Sequence, residues 1–137
     1  MHLLLGTHIL IWMAIEPERI PAKLLEAIAL ADTRYVSVVT ALEIQLKNLR
    51  HPDTFSFSNA DLEMVMEKFS CTQMPLTFQD VRTLQQMDFI HNDPLDRLLM
   101  CQAANREVYL ATMDQMIVDT FHRWKAFYIF STEPRKE

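Results

Sequence analysis

The chain has 137 residues, half of them hydrophobic and 23% charged, with a formal net charge of -5. That length supports one domain with a buried core and excludes two. The negative balance, without a dense basic run, excludes nucleic-acid binding by bulk charge, so any such substrate must be gripped locally.

The opening His2-Leu3-Leu4-Leu5 is a short continuous apolar run, the pattern of a strand buried on both faces of a parallel sheet. Thr7 is placed to cap a mostly apolar helix carrying Ile9, Ile11, Trp12 and Ile15, which stops near Glu16-Pro17. Pro21 suits the first position of a second, amphipathic helix with Leu24, Leu25, Ile28 and Leu30, ending around Asp32-Thr33. Tyr35-Val36-Ser37-Val38 is β-branched and aromatic and predicts a second strand, followed by a helix to about Arg50. After the polar loop His51-Pro52-Asp53-Thr54, Ser58 caps a helix with Leu62, Val65, Met66 and Phe69 on one face. Cys71 to Met74 is a weak strand candidate. Thr77 and Asp80 form a capping box opening a helix through Met87. Asn92-Asp93-Pro94 marks a loop and a helix start, with Leu98, Leu99, Cys101 and Ala104 inside. Val108 to Thr112 predicts a strand, Gln115 to Phe121 a short helix and Phe127 to Phe130 a last strand. The polar tail after Ser131 is expected to fray.

Short apolar strands alternating with helices imply an α/β class with right-handed crossovers, a parallel sheet and helices on both sides. No apolar run reaches the roughly 18 residues of a membrane span, and the apolar opening lacks the flanks of a leader. A soluble cytoplasmic protein is expected, with Cys71 and Cys101 in neither a disulfide framework nor a zinc site.

Ligands of open parallel sheets bind beyond the carboxyl ends of the strands. The residues falling there are Gly6 after the first strand, Glu43 in the helix after the second, Asp93 and Asp96 at the start of the long helix, and Asp114 past the fourth. Carboxylates gathered within a few ångströms repel one another, at about 4 kcal/mol per pair at 4 Å for an effective dielectric of 20, which points to a bound hard cation such as Mg2+ or Mn2+. Such an ion keeps waters, one of which can attack a phosphodiester.

Four segments then carry a resemblance to PIN-domain ribonucleases of the VapC-like toxin group. The opening LLLGTHILIW is similar to the family's LLLDTHILLW, and TALEIQLK resembles its helix with a conserved glutamate. DPLDRLLMCQA is close to DPFDRLLIAQA, and LATMD to LVTRD. The resemblance spans Met1 to about Ser131. It implies a three-layer α/β/α PIN-like domain over residues 1–131, with a central, mostly parallel sheet of about five short strands and a polar tail at 132–137. It also implies a toxin of a type II toxin-antitoxin pair that cleaves RNA with Mg2+ or Mn2+, a cognate antitoxin that blocks the acidic pocket, and a homodimer. Residue by residue it makes Glu43, Asp96 and Asp114 metal ligands and catalytic acids. Asp93 becomes a supporting acid or helix cap, and Thr7 the small polar neighbour of the first acid. Gly6 departs from the pattern by standing where the family has its first aspartate, so the chain as written is expected to be inactive or crippled. Gly6 is then an inactivating substitution in an otherwise intact ribonuclease, or the mark of a naturally degenerate member. The alternative reading is a non-catalytic PIN module that binds RNA or sequesters an antitoxin. A receiver-like phospho-acceptor domain shares the layout but lacks an acid pair near the first strand and a lysine after the last.

Local chemistry offers competing roles. Thr40 to Glu43 reads as a capping box, Asp93 as an N-cap, Asp96 as an acid complementing the helix dipole and Asp114 as the cap of the helix behind it. Gly6 could serve a positive φ. Arg97 could reach a phosphate or pair with a nearby acid. The histidines show no ligand spacing. Met64, Met66 and Met74 suit core packing, or a groove for an antitoxin helix.

Overall fold

The structure is a computed structural model that describes residues 1–87, 93–113 and the backbone of 129–130. Strand β1 (His2–Leu5) holds Leu3, Leu4 and Leu5 entirely out of solvent, as a run without polar alternation requires. It is the centre of a five-stranded sheet of order β3-β2-β1-β4-β5, all parallel, formed with β2 (Thr33–Ser37), β3 (Thr72–Met74), β4 (Tyr109–Ala111) and β5 (Ile129–Phe130). Leu4 pairs with Tyr35 on one side and Leu110 on the other.

Parallel pairing needs crossovers, and helices supply them. Helices α1 (Thr7–Ile15) and α2 (Ala22–Leu30) connect β1 to β2. Then α3 (Val38–Arg50) and α4 (Asn59–Lys68) lead to β3, and α5 (Phe78–Thr83) and α6 (Pro94–Arg106) lead to β4. Two apolar cores result from the alternation of the central strand. Leu3 and Leu5 join Ile9, Leu10, Leu24, Ile28, Ile44, Leu62 and Val65 in one. Leu4 joins Val39, Met74, Leu99, Met100, Cys101 and Leu110 in the other. Helices therefore cover both faces, the three-layer α/β arrangement expected from the sequence.

Several boundaries differ from expectation, each for a local reason. Thr7 is the first helical residue and Gly6 the N-cap of α1, because the Thr7 hydroxyl is turned to another helix. Pro21 is the N-cap of α2, with extended backbone, rather than its first residue, and α2 stops at Leu30. β2 covers Thr33–Ser37, and Val38 already belongs to α3 because Ser37 accepts from Val39 N at 2.9 Å and starts the helix there. The capping boxes at Ser58/Asp61 and Thr77/Asp80 both form. The second helix breaks at Thr83 into a 3-10 turn over Leu84–Gln86, short of Met87. The expected helix over 115–121, the first half of the last strand and the tail lie outside the described residues.

Two side chains tie the helices together. Arg34 donates to the carbonyls of Ile28 and Ala31 at the end of α2, both at 3.1 Å, and to that of Phe69 at the end of α4, at 2.6 Å. A guanidinium there satisfies orphan carbonyls and complements two helix dipoles. Asp80 is buried under a fork from Arg106, with Asn105 and the Thr77 amide completing its shell. Burial works against its charge, but these donors outweigh it and hold the carboxyl at about 2.

Candidate functional site

The chain runs outward from β1 to β2 to β3, then returns across the sheet to β4 on the other flank of β1. The gap beyond the carboxyl ends of β1 and β4 is therefore the topological switch point, where an open sheet places its crevice. A cavity of about 240 Å³ lies there, lined among others by Gly6, Thr7, Trp12, Asp96, Thr112 and Met113.

Gly6 is buried at the end of β1, and its N–H donates to the Ala111 carbonyl at 2.9 Å. Its backbone is ordinary, φ -66° and ψ 157°, so no positive φ calls for glycine. Space does: a Cβ at this position would stand 2.9 Å from the same Ala111 oxygen, a backbone atom that would have to move.

Thr7 turns its hydroxyl away from its own helix. It donates to Glu43 Oε1 at 3.1 Å and lies 3.1 Å from the Thr40 hydroxyl, both on α3. The single Thr7 proton goes to Glu43, so Thr40 donates in turn to Thr7. Thr40, Glu43 and Lys47 recur at three- and four-residue spacing and form one stripe of α3. Glu43 is buried, and its second oxygen, Oε2, lies 3.1 Å from Lys47 Nζ. The Lys47 ammonium also sits 5.4 Å from the centre of the Phe55 ring. The capping-box role for Glu43 is thereby overturned: the cap of α3 is Ser37, and Thr40 is inside the helix.

Asp96 is half-buried in the first turn of α6 and lines the cavity with Gly6 and Thr7. Asp93 is the N-cap of α6, its carboxylate accepting from Leu95 N at 2.9 Å, with Pro94 at the first helical position. The helix-cap role expected of it is formed. Asp114 lies outside the described residues. Sequence reasoning gave no site role to Lys47, Thr112 or Trp12. The Glu43–Lys47 spacing of four, acid first, was the available signal for the first.

The methionines divide: Met74 lies in the core around Leu4, Met66 packs half-buried against the core around Leu3 and Leu5, and Met64 is 70% exposed. Met64 lines a larger groove of about 580 Å³ between the end of α1, the 54–57 segment and α4, with Ile15, Phe55 and Phe69. Cys71 and Cys101 are free thiols, and burial, then the nearby Asp80 charge, pushes Cys101 up to about 12.

Neither a family model nor a curated protein matches this sequence. A solved structure does: VapBC2 from Rickettsia felis bound to a DNA fragment from their promoter. The superposition covers 95% of this chain and 98% of that one, with a TM-score of 0.67 and 15% identity. The likeness is one of fold. It gives the chain a PIN-like, VapC-like architecture and leaves the site to be judged on its own donors.

Among the described residues, a divalent ion is poorly served. Position 6 offers no side-chain oxygen, and both oxygens of Glu43 are engaged, by Thr7 and by Lys47. No three histidines, cysteines or acids converge among the described residues. Asp96 is the carboxylate that these residues contribute to the cavity wall.

Proposed function

We propose that the chain is the toxin component of a type II toxin-antitoxin pair, built on the frame of a metal-dependent RNA endonuclease and lacking the first acid of its cutting centre. The observation that carries this reading is the meeting of position 6, Thr7 and Asp96 in one cavity at the β1/β4 switch point, with Glu43 tied to it through Thr7. The fold likeness to VapBC2 supports the toxin-antitoxin assignment. An antitoxin partner is also supported by the groove beside α1 and α4, whose Ile15 and Met64 stay exposed. Among the described residues no helix is long and apolar enough to cross a membrane. A homodimer, and RNA as substrate, belong to the same proposal.

The close approach of the Ala111 carbonyl to position 6 favours a second reading, a non-catalytic module whose seam is fitted to glycine. One experiment separates the two. The present chain, Gly6→Asp and Gly6→Ala are incubated with mixed-sequence single-stranded RNA and Mn2+, and each is induced in a bacterial host. Gly6→Asp alone is expected to cleave and to arrest growth. If Gly6→Asp melts as a folded protein, as Gly6→Ala does, yet neither cleaves nor arrests, the endonuclease reading gives way to the binding module.

A further inference from the structure

We infer that the outward face of α3 pairs with the same face of a second copy of this chain, the two helices running antiparallel about a two-fold axis. Helix α3 packs inward through Val39, Thr40, Glu43 and Ile44. Val38, Leu42 and Leu49 point the other way and are exposed, Leu49 at 70%. With Gln45, also exposed, they form one stripe at gaps of four, three and four residues, the spacing of a helix–helix seam. Glu43 is the one acid of α3 and is buried on the opposite face, so the stripe itself carries no charge. Water is a poor neighbour for such a row, and a helix of matching spacing covers it.

The matching helix is this chain's own. Gaps of four, three and four read the same from either end, so a reversed copy sets Leu42 beside the partner's Gln45 and Leu49 beside the partner's Val38. A hollow of about 330 Å³ opens at Val38, lined among others by Ala41, Leu62, Glu63 and Met66. It stands where the reversed copy brings Leu49, an apolar knob for a mostly apolar hole. Charge follows the same direction: Glu63 lies at the Val38 end, and Arg50 closes the other end of α3. Among the described residues neither forms an ion pair. Reversal sets Arg50 against the partner's Glu63 twice over, whereas parallel helices would face like charge with like. One patch then serves both subunits, the self-complementary contact of a two-fold dimer. The groove beside α1 and α4 shares no lining residue with this hollow, so each subunit keeps it for the antitoxin. This inference gives the homodimer of the proposed function its surface, and it rests on that part and on neither RNA nor metal.

The test is sedimentation at micromolar concentration, where the present chain is expected to be a dimer. Leu49→Glu leaves the inward packing of α3 alone, which circular dichroism checks. It should raise the dissociation constant at least about thirtyfold, the loss that an interface hot spot brings. Arg50→Glu should weaken the dimer about tenfold, and adding Glu63→Arg should restore it, a rescue that the reversed register alone gives. Met64→Glu, in the α1/α4 groove, should leave the dimer unchanged. A monomeric present chain would overturn the inference, as would a dimer indifferent to Leu49→Glu or a charge swap without rescue. If Met64→Glu parts the subunits and Leu49→Glu does not, the second copy sits in the α1/α4 groove and the inference falls. Growth arrest by Gly6→Asp, with a dimer indifferent to Leu49→Glu, keeps the toxin function and sinks this inference. An inert Gly6→Asp that dimerises through α3 does the reverse.

Discussion

Two buried carboxylates of this chain, Asp80 and Glu43, are both paired with cations, and they are held in opposite ways. Asp80 receives the Arg106 fork at 2.9 and 3.0 Å, Asn105 at 2.9 Å and the Thr77 amide at 2.9 Å, so every direction of approach is filled by a rigid or short donor. Glu43 has one hydroxyl and one lysine, both at 3.1 Å. A bidentate guanidinium fixes geometry, while an ammonium on a long stem supplies charge and little direction. The contrast separates a carboxylate that staples α5 to α6 from one held by a hydroxyl from α1 and a lysine of its own helix.

The sharpest way to break that contrast is Arg106→Met. It strands the Asp80 charge with Asn105 and one amide, and should cost about 3 kcal/mol, in the range for breaking a buried pair. Urea unfolding at neutral pH checks this, and a loss under 1 kcal/mol would mean that Asp80 is no more firmly held than Glu43. Acid sharpens it next. The Asp80 carboxyl titrates at about 2 when folded and at 3.8 ordinarily, so its contribution is complete above about pH 4 and fades as pH falls toward 2. The loss amounts to about 2 kcal/mol, and it should vanish from the stability profile of Asp80→Asn, measured by the same unfolding curves. The smallest effect belongs to the other side: Gly6→Ala brings a Cβ against the Ala111 oxygen and should cost about 1 kcal/mol, the low end for overpacking. A stabilising Gly6→Ala would show that the seam between β1 and β4 has slack, and would favour ready restoration of the acid.

Much of this frame is legible in the residues alone. Leu3-Leu4-Leu5 announces a strand covered on both faces, the Ser58/Asp61 and Thr77/Asp80 boxes announce helix starts, and Asp93-Pro94 marks the start of α6. What escaped is what depends on side-chain direction in three dimensions. Thr7 looks like a cap until the fold offers it Glu43 across the sheet end. Thr40 and Glu43 have capping-box spacing, but Ser37, three residues earlier, closes the helix first. Gly6 suggests a left-handed turn, whereas its backbone is ordinary and the constraint is a carbonyl from a strand late in the chain. The Asp80–Arg106 staple was hidden because its partners sit on different helices. Glu43–Lys47, by contrast, is written in the sequence as an acid-first spacing of four.

The register of the central strand has a bearing on biogenesis. Leu3 pairs with Tyr109, so the first strand made waits for nearly the last described strand before its second flank is covered. At about 5–20 residues per second of synthesis, that delay runs to several seconds, and such distant closure also slows folding. The cavity between the two strands is consequently assembled late on the ribosome, and a nascent chain carries no finished pocket until β4 has emerged.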